Sequence, residues 1–130
     1  MSNLTPGLQA EFELTVTDAD TAAQWGSGLV PVYSTPALVG AMEKTAVLAL
    51  EKHLPIGQTT VGGRIEVQHL APTPVGMKVR VAAELIEVEG RKLVFKIEAW
   101  DEVEKIGEAT HDRFVVDQFK FMEKVRAKGK

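Results

Sequence analysis

The stretch TPALVGAMEKTAVLALEKH, residues 35–53, carries the one long helical pattern of the chain, and almost everything after it alternates. Thr35 is a good N-cap type. Pro36 suits the first helical position, where the missing N–H would have no partner anyway. The pattern predicts a helix to about His53, stopped by Pro55 and Gly57. Charge appears only at Glu43, Lys44, Glu51 and Lys52, so the helix should be buried over most of its surface. Upstream, Leu8, Ala10, Phe12, Leu14 and Val16 alternate with polar residues and predict a strand. Asp18 to Trp25 reads as a short helix closed by Gly26-Ser27-Gly28. Downstream come alternating runs at 60–70, 77–85, 93–99 and 105–116, with a turn signal at Glu89-Gly90. Asp117 is a cap candidate for a short C-terminal helix. The expected class is α+β, an antiparallel β-sheet wrapped around one long central α-helix. One helix cannot cover such a sheet and its edges at this length, so a dimer is expected to complete the burial.

Composition narrows the function classes. A chain of 130 residues with 45% apolar and 25% charged residues reads as one soluble domain over 1–130. Cysteine is absent, which removes disulfides, thiolate metal sites and cysteine nucleophiles. The three histidines, His53, His69 and His111, lack metal-ligand spacing, so no metal is expected. The net charge of −3 argues against nucleic acid as a partner. Residues 118–130 hold five basic residues against one acid, a net of +4 that leaves −7 on the rest. Such a tail more often complements a helix end or solvates a terminus than meets phosphate. No secretory pattern and no 18-residue apolar run is present, so the expectation is a cytoplasmic protein without a membrane partner.

Glu43 is the most informative residue. Its helical neighbours Val39, Gly40, Ala46, Val47 and Leu50 are all apolar. A carboxylate there must find a partner elsewhere or be perturbed by desolvation, which makes it a functional candidate; a margin position reaching water or a structural Arg is the competing reading. His69 shares strand parity with Ile65 and Val67 and lies beside a Pro-rich loop. It suits a general acid or base; taken alone, a core histidine bonded to backbone is the commoner case. Gly62-Gly63 interrupts a strand, as a bulge or as a place where backbone amides meet a developing oxyanion. Thr35 reads first as a cap. His111 is expected to be structural, near a sheet edge. His53 lies at the helix C-terminus, where a cation is favoured.

The stretches TPALVGAMEKTA (35–46), TTVGGRIEVQHLAPTPVG (59–76) and EVEGRKLVFKIEAWDEVEKIGEATHDRFVV (87–116) together resemble the hotdog-fold acyl-CoA thioesterases, and most the fluoroacetyl-CoA thioesterase-like subgroup. The resemblance covers roughly residues 8 to 116. It rests on a Thr, a Glu eight residues on, a His 26 residues after that, and a Pro-x-Pro-x-Gly loop. It implies a catalytic set of Thr35, Glu43 and His69, a backbone-amide contribution from Gly62, and CoA bound at a subunit interface with Arg113 as a phosphate contact. It implies no cofactor beyond the CoA of the substrate, and a homodimer; a dimer of dimers is left open. A hotdog protein that binds acyl-CoA or another small ligand without turnover is the alternative. Residues 17–34, TDADTAAQWGSGLVPVYS, depart from the family's lid region, so a short-chain acyl-CoA is expected rather than fluoroacetyl-CoA in particular. Eight helical residues put Thr35 and Glu43 ~12 Å apart along the axis. If both act in one site, they are expected to come from different subunits.

Overall fold

A computed structural model describes residues 4–129. The elements run β1 (Gln9–Thr15), a 3-10 turn (Asp18–Asp20), α1 (Ala22–Trp25), α2 (Thr35–Leu50), β2 (Gln58–His69), β3 (Lys78–Glu89), β4 (Lys92–Trp100), β5 (Lys105–Asp117) and α3 (Gln118–Lys128). The strands form one antiparallel sheet in the order β1-β3-β4-β5-β2. The alternation read from the sequence is the alternation of burial: Val79, Val81, Ala83 and Leu85 of β3, and Leu93, Phe95, Ile97 and Ala99 of β4, all turn inward. Leu38, Met42, Ala46 and Leu50 of α2 close the core over them. Each such large side chain contributes ~1.5–3 kcal/mol through loss of apolar surface to water.

The helix begins and ends differently from the expectation. Ser34 is the N-cap, its Oγ accepting from the N–H of Ala37, so Thr35 and Pro36 fill the first two helical positions. The hydroxyl of Thr35 is thereby released from capping. The regular helix stops at Leu50, and residues 51–53 turn toward the loop before Gln58. Asp117 caps α3 as expected, its Oδ1 accepting from Lys120 N–H. That helix buries none of its described side chains, and the last basic residue of the tail, Lys130, lies outside the described residues.

The long helix sits off-centre. It packs mainly on β1 and β3 and touches β5 and β2 less. Its N-terminal half comes down onto β5 at Gly107, where a Cβ would lie 2.9 Å from Leu38 Cδ2 and 3.3 Å from Met42 Cε. Gly107 faces His69 across the β2–β5 ladder, so this close approach brings the start of α2 beside the end of β2. The flank of α2 turned toward β2 stays uncovered: Gly40 and Val47 are exposed, and Val39 and Glu43 are half-buried. The apolar residues around Glu43 are thus partly an open surface, not all core. Among the described residues β2 is an edge strand, twelve residues long and paired on one side only. Among the described residues no helix is long and apolar enough to cross a membrane.

Candidate active site

The expected parity of β2 breaks at its glycines. Gly62 pairs with Arg113 but Arg64 pairs with Asp112, so Gly63 is the extra residue of a β-bulge. Thr60 and Gly62 before the bulge therefore share the helix-facing side with Ile65, Val67 and His69 after it. Unbroken alternation back from His69, Val67 and Ile65 would put Gly63 and Val61 on that side instead. Gly63 is turned the other way, where a Cβ would collide with the Phe114 ring. It serves the bulge and does not face Glu43. Gly62 does: a Cβ there would lie 3.0 Å from Glu43 Oε2. The two explanations of the glycine pair, bulge and close approach, divide between its two members.

The site residues fall into two clusters. In the first, Thr35 Oγ1 lies 2.8 Å from His69 Nδ1. His69 Nε2 is buried and has no hydrogen-bond partner among the described residues. Desolvation lowers the pKa of this ring, because burial penalises its charged form. Both residues line a cleft of about 310 Å³, together with Ala22, Val32, Ala71 and Pro72.

In the second cluster Glu43 finds the partner its position demands. Its Oε2 is 3.8 Å from Arg113 Nη1, with the carboxylate side chain 43% exposed and the guanidinium side chain 8% exposed. Arg113 is anchored from behind. Its Nε donates to Thr60 Oγ1 at 2.9 Å and its Nη2 to the Thr60 carbonyl at 3.0 Å. Its Nη1 lies 3.2 Å from His111 Nε2. His111 Nδ1 lies 2.7 Å from the Arg64 carbonyl, which can only accept, so Nδ1 carries the proton and Nε2 is free to accept from Arg113. Burial lowers the His111 pKa; the Arg64 bond opposes that, and the Arg113 charge reinforces it. Burial also lowers the Arg113 pKa, with Glu43 acting in the other direction.

Arg113, expected from the family resemblance to meet CoA phosphate, is buried and gives three hydrogen bonds to Thr60 and His111 with Glu43 3.8 Å away, so little of its fork faces solvent. His111 had been placed near an edge, but β5 lies between β4 and β2 and the ring is 1% exposed. Thr60, Gly107 and His111 are the members the sequence reading missed. The signal for His111 and Arg113 was their shared parity, two apart on one strand, once β5 is known to be interior.

Within one protomer the clusters do not meet. Thr35 and Glu43 are ~12 Å apart along α2. His69 and Gly62 lie at opposite parts of β2, ~20 Å apart at the usual rise per residue. Substituting Ala for Gly62 tests the close approach: the new methyl crowds Glu43 Oε2, so the carboxylate must move by a few tenths of an ångström. The expected result is a fall in hydrolysis of about tenfold or more, given the sensitivity of rate to position, with little change in melting temperature.

Residues 16–119 match the family described as fluoroacetyl-CoA-specific thioesterase. A fluoroacetyl-CoA thioesterase of Streptantibioticus cattleyicolor is 44% identical over 97 residues, covering 75% of this chain and 70% of that enzyme. The solved structure of the fluoroacetyl-CoA thioesterase FlK superposes with a TM-score of 0.91 at 35% identity, over 97% of this chain and 98% of that one. A FlK variant in complex with fluoroacetate and CoA gives a TM-score of 0.86 at 34% identity, over 91% and 99%. With the sheet, the central helix and the sequence agreeing over most of its length, the chain belongs to the fluoroacetyl-CoA-specific thioesterase family and is a thioester hydrolase with the hotdog fold.

Proposed function

We propose that this protein hydrolyses a short-chain or otherwise small acyl-CoA thioester to the carboxylate and free CoA, in two sites that each draw on both subunits of a homodimer. The observation that carries the reading is the division of the polar groups into a Thr35–His69 pair and a Glu43–Gly62–Arg113 cluster that one chain keeps apart. Support for the dimer comes from the long unpaired edge of β2 and from the uncovered flank of α2 beside it. A two-fold axis joining β2 to its copy extends the sheet and lays the two helices side by side. With Gly63 as the extra residue of the bulge, the register that sets His69 opposite the partner's Gly62 has its axis at Glu66. Thr35 and His69 of one protomer then face Glu43 and Gly62 of the other.

In such a site the thioester carbonyl sits between the clusters. Glu43 either attacks the carbonyl carbon, giving an anhydride that water then opens, or takes the proton of the attacking water. The C–S bond breaks in both routes, and neutral His69, held by Thr35, accepts the proton that the attacking water gives up (by way of Glu43 in the second route) and passes it to the departing thiolate. The Gly62 backbone contributes to holding the oxyanion. Arg113, fixed by Thr60 and His111, positions the carboxylate and does not touch the substrate. The modest cleft at Thr35 and His69 favours a small acyl group. An acyl-CoA substrate is consistent with the expected cytoplasmic location.

Thiol release from a panel of acyl-CoA thioesters of increasing chain length tests the reading. Turnover is expected for the small acyl groups and is expected to fall as the chain lengthens. Binding of CoA without turnover of any thioester would instead identify a non-catalytic acyl-CoA-binding protein. The pH dependence has a fixed sign. His69 must be neutral to accept a proton, and its pKa is lowered, so the acid limb of the rate should lie below the ordinary histidine value of ~6.5. The same sign holds for folding: both His69 and His111 have lowered pKa values, so the unfolded chain binds more protons on the acid side. Stability is then full above ~pH 6.5 and lost as pH falls through the two folded-state values. Thermal melts across pH 5 to 8 would show it.

A further inference from the structure

Beyond the two clusters, the helix-facing side of β2 and β5 continues into a groove of about 470 Å³. Its floor is apolar, with Val88, Val115 and Phe121; its rim carries Arg91, Lys120 and Lys124. None of these three cations takes part in an ion pair among the described residues. Asp117 also lines the groove, but its Oδ1 caps α3. Lys120 and Lys124 are one turn apart on one face of α3, with Phe121 beside them, so one helix face supplies both charge and an aromatic surface. This is the basic tail of a chain that is acidic elsewhere.

The groove is in register with the reacting residues. Gly62 pairs with Arg113, Thr60 with Val115 and Gln58 with Asp117, so the groove begins one alternate pair from Glu43's partner and ends two away. That is a span of ~7–14 Å along the strands. The pantetheine arm of CoA has about as many backbone bonds as four peptide residues, hence a reach of ~14 Å when extended.

We propose that this groove binds the phosphate-bearing nucleotide end of CoA, with Arg91, Lys120 and Lys124 meeting the phosphates and Phe121 offering a face to the adenine. The role first read into Arg113 thus passes to the C-terminal helix. The inference rests on the acyl-CoA reading above, and a purely solvating tail is its rival.

The test compares the native enzyme with Arg91→Ala/Lys120→Ala/Lys124→Ala on two substrates, an acyl-CoA and the same acyl group on pantetheine, which has no phosphate. Three lost charge contacts should lower the preference for acyl-CoA, as the ratio of kcat/KM values, by about tenfold or more, mainly through KM. Rising salt should lower the same ratio in the native enzyme and hardly in the variant. An unchanged ratio in a variant that melts normally overturns the proposal while leaving the thioesterase reading intact. Calorimetric titration with adenosine 3′,5′-bisphosphate separates the two in the other direction. Binding that the triple substitution abolishes supports the groove even if no thioester is turned over. Equal binding by both proteins overturns it. Binding of single-stranded DNA or anionic vesicles through these residues, without competition by CoA, also overturns it.

Discussion

Glu43→Gln should abolish hydrolysis of every acyl-CoA the native enzyme accepts, with a loss of about 10³-fold or more, the range for removing a group that moves a proton or attacks in the transition state. The change is nearly isosteric. The amide oxygen of the new side chain can still accept from Arg113, so the position of the side chain is kept while its ability to attack or to take a proton is lost. The native carboxylate is 43% exposed and 3.8 Å from the guanidinium, too open and too long a pair to contribute much to folding. Melting temperature and CoA binding should therefore be close to native. Hydrolysis retained within about tenfold of native would remove Glu43 from the chemistry, because general-base catalysis alone accounts for more than that.

Arg113 should show the second large effect, of a different kind. Arg113→Met strands His111 Nε2 and both Thr60 oxygens, all previously served by one buried fork. Each buried acceptor left without its donor costs about 1–3 kcal/mol, together enough to unfold much of a marginal domain. Arg113→Lys is the more informative change. A lysine keeps the charge but cannot span Thr60 and His111 together. The expected result is a folded protein with kcat lowered by about 10- to 100-fold through misplacement of Glu43 and KM little altered. If Arg113 instead contacted substrate, KM would carry the loss. A purely structural Arg113 would lower the melting temperature and leave kcat of the folded enzyme unchanged.

Much of the fold was legible because the chain obeys two periods without conflict. The alternation at Val79–Leu85 and Leu93–Ala99 is the alternation of burial, and the apolar helix at 35–50 is the central one. The polar pair Thr35 and His69 and the glycine opposite Glu43 were nameable through the spacing the family shares. What stayed hidden depended on strand order and on local offsets. A single extra residue at Gly63 moves Thr60 and Gly62 onto the functional face, and periodicity read through a bulge assigns them to the wrong side. His111 and Arg113 looked peripheral because the sequence does not say that β5 lies between β4 and β2. Thr35 was read as a cap because Ser34, one residue earlier, serves equally well by type. Only the structure shows which hydroxyl is spent on the backbone and which is left for the histidine.

The partition of the site between subunits is the central claim, and subunit mixing tests it most directly. Thr35→Ala breaks one cluster and Glu43→Gln the other, so each homodimer alone should be inactive or nearly so. Exchanging the two at equal concentration produces heterodimers in which one site has lost both groups and the other has lost neither. Random reassociation should restore about a quarter of the native rate, since half the dimers are mixed and each has one intact site. No recovery, with exchange verified by mass labelling of the two variants, would mean that Thr35 and Glu43 act from the same chain and would contradict the composite site.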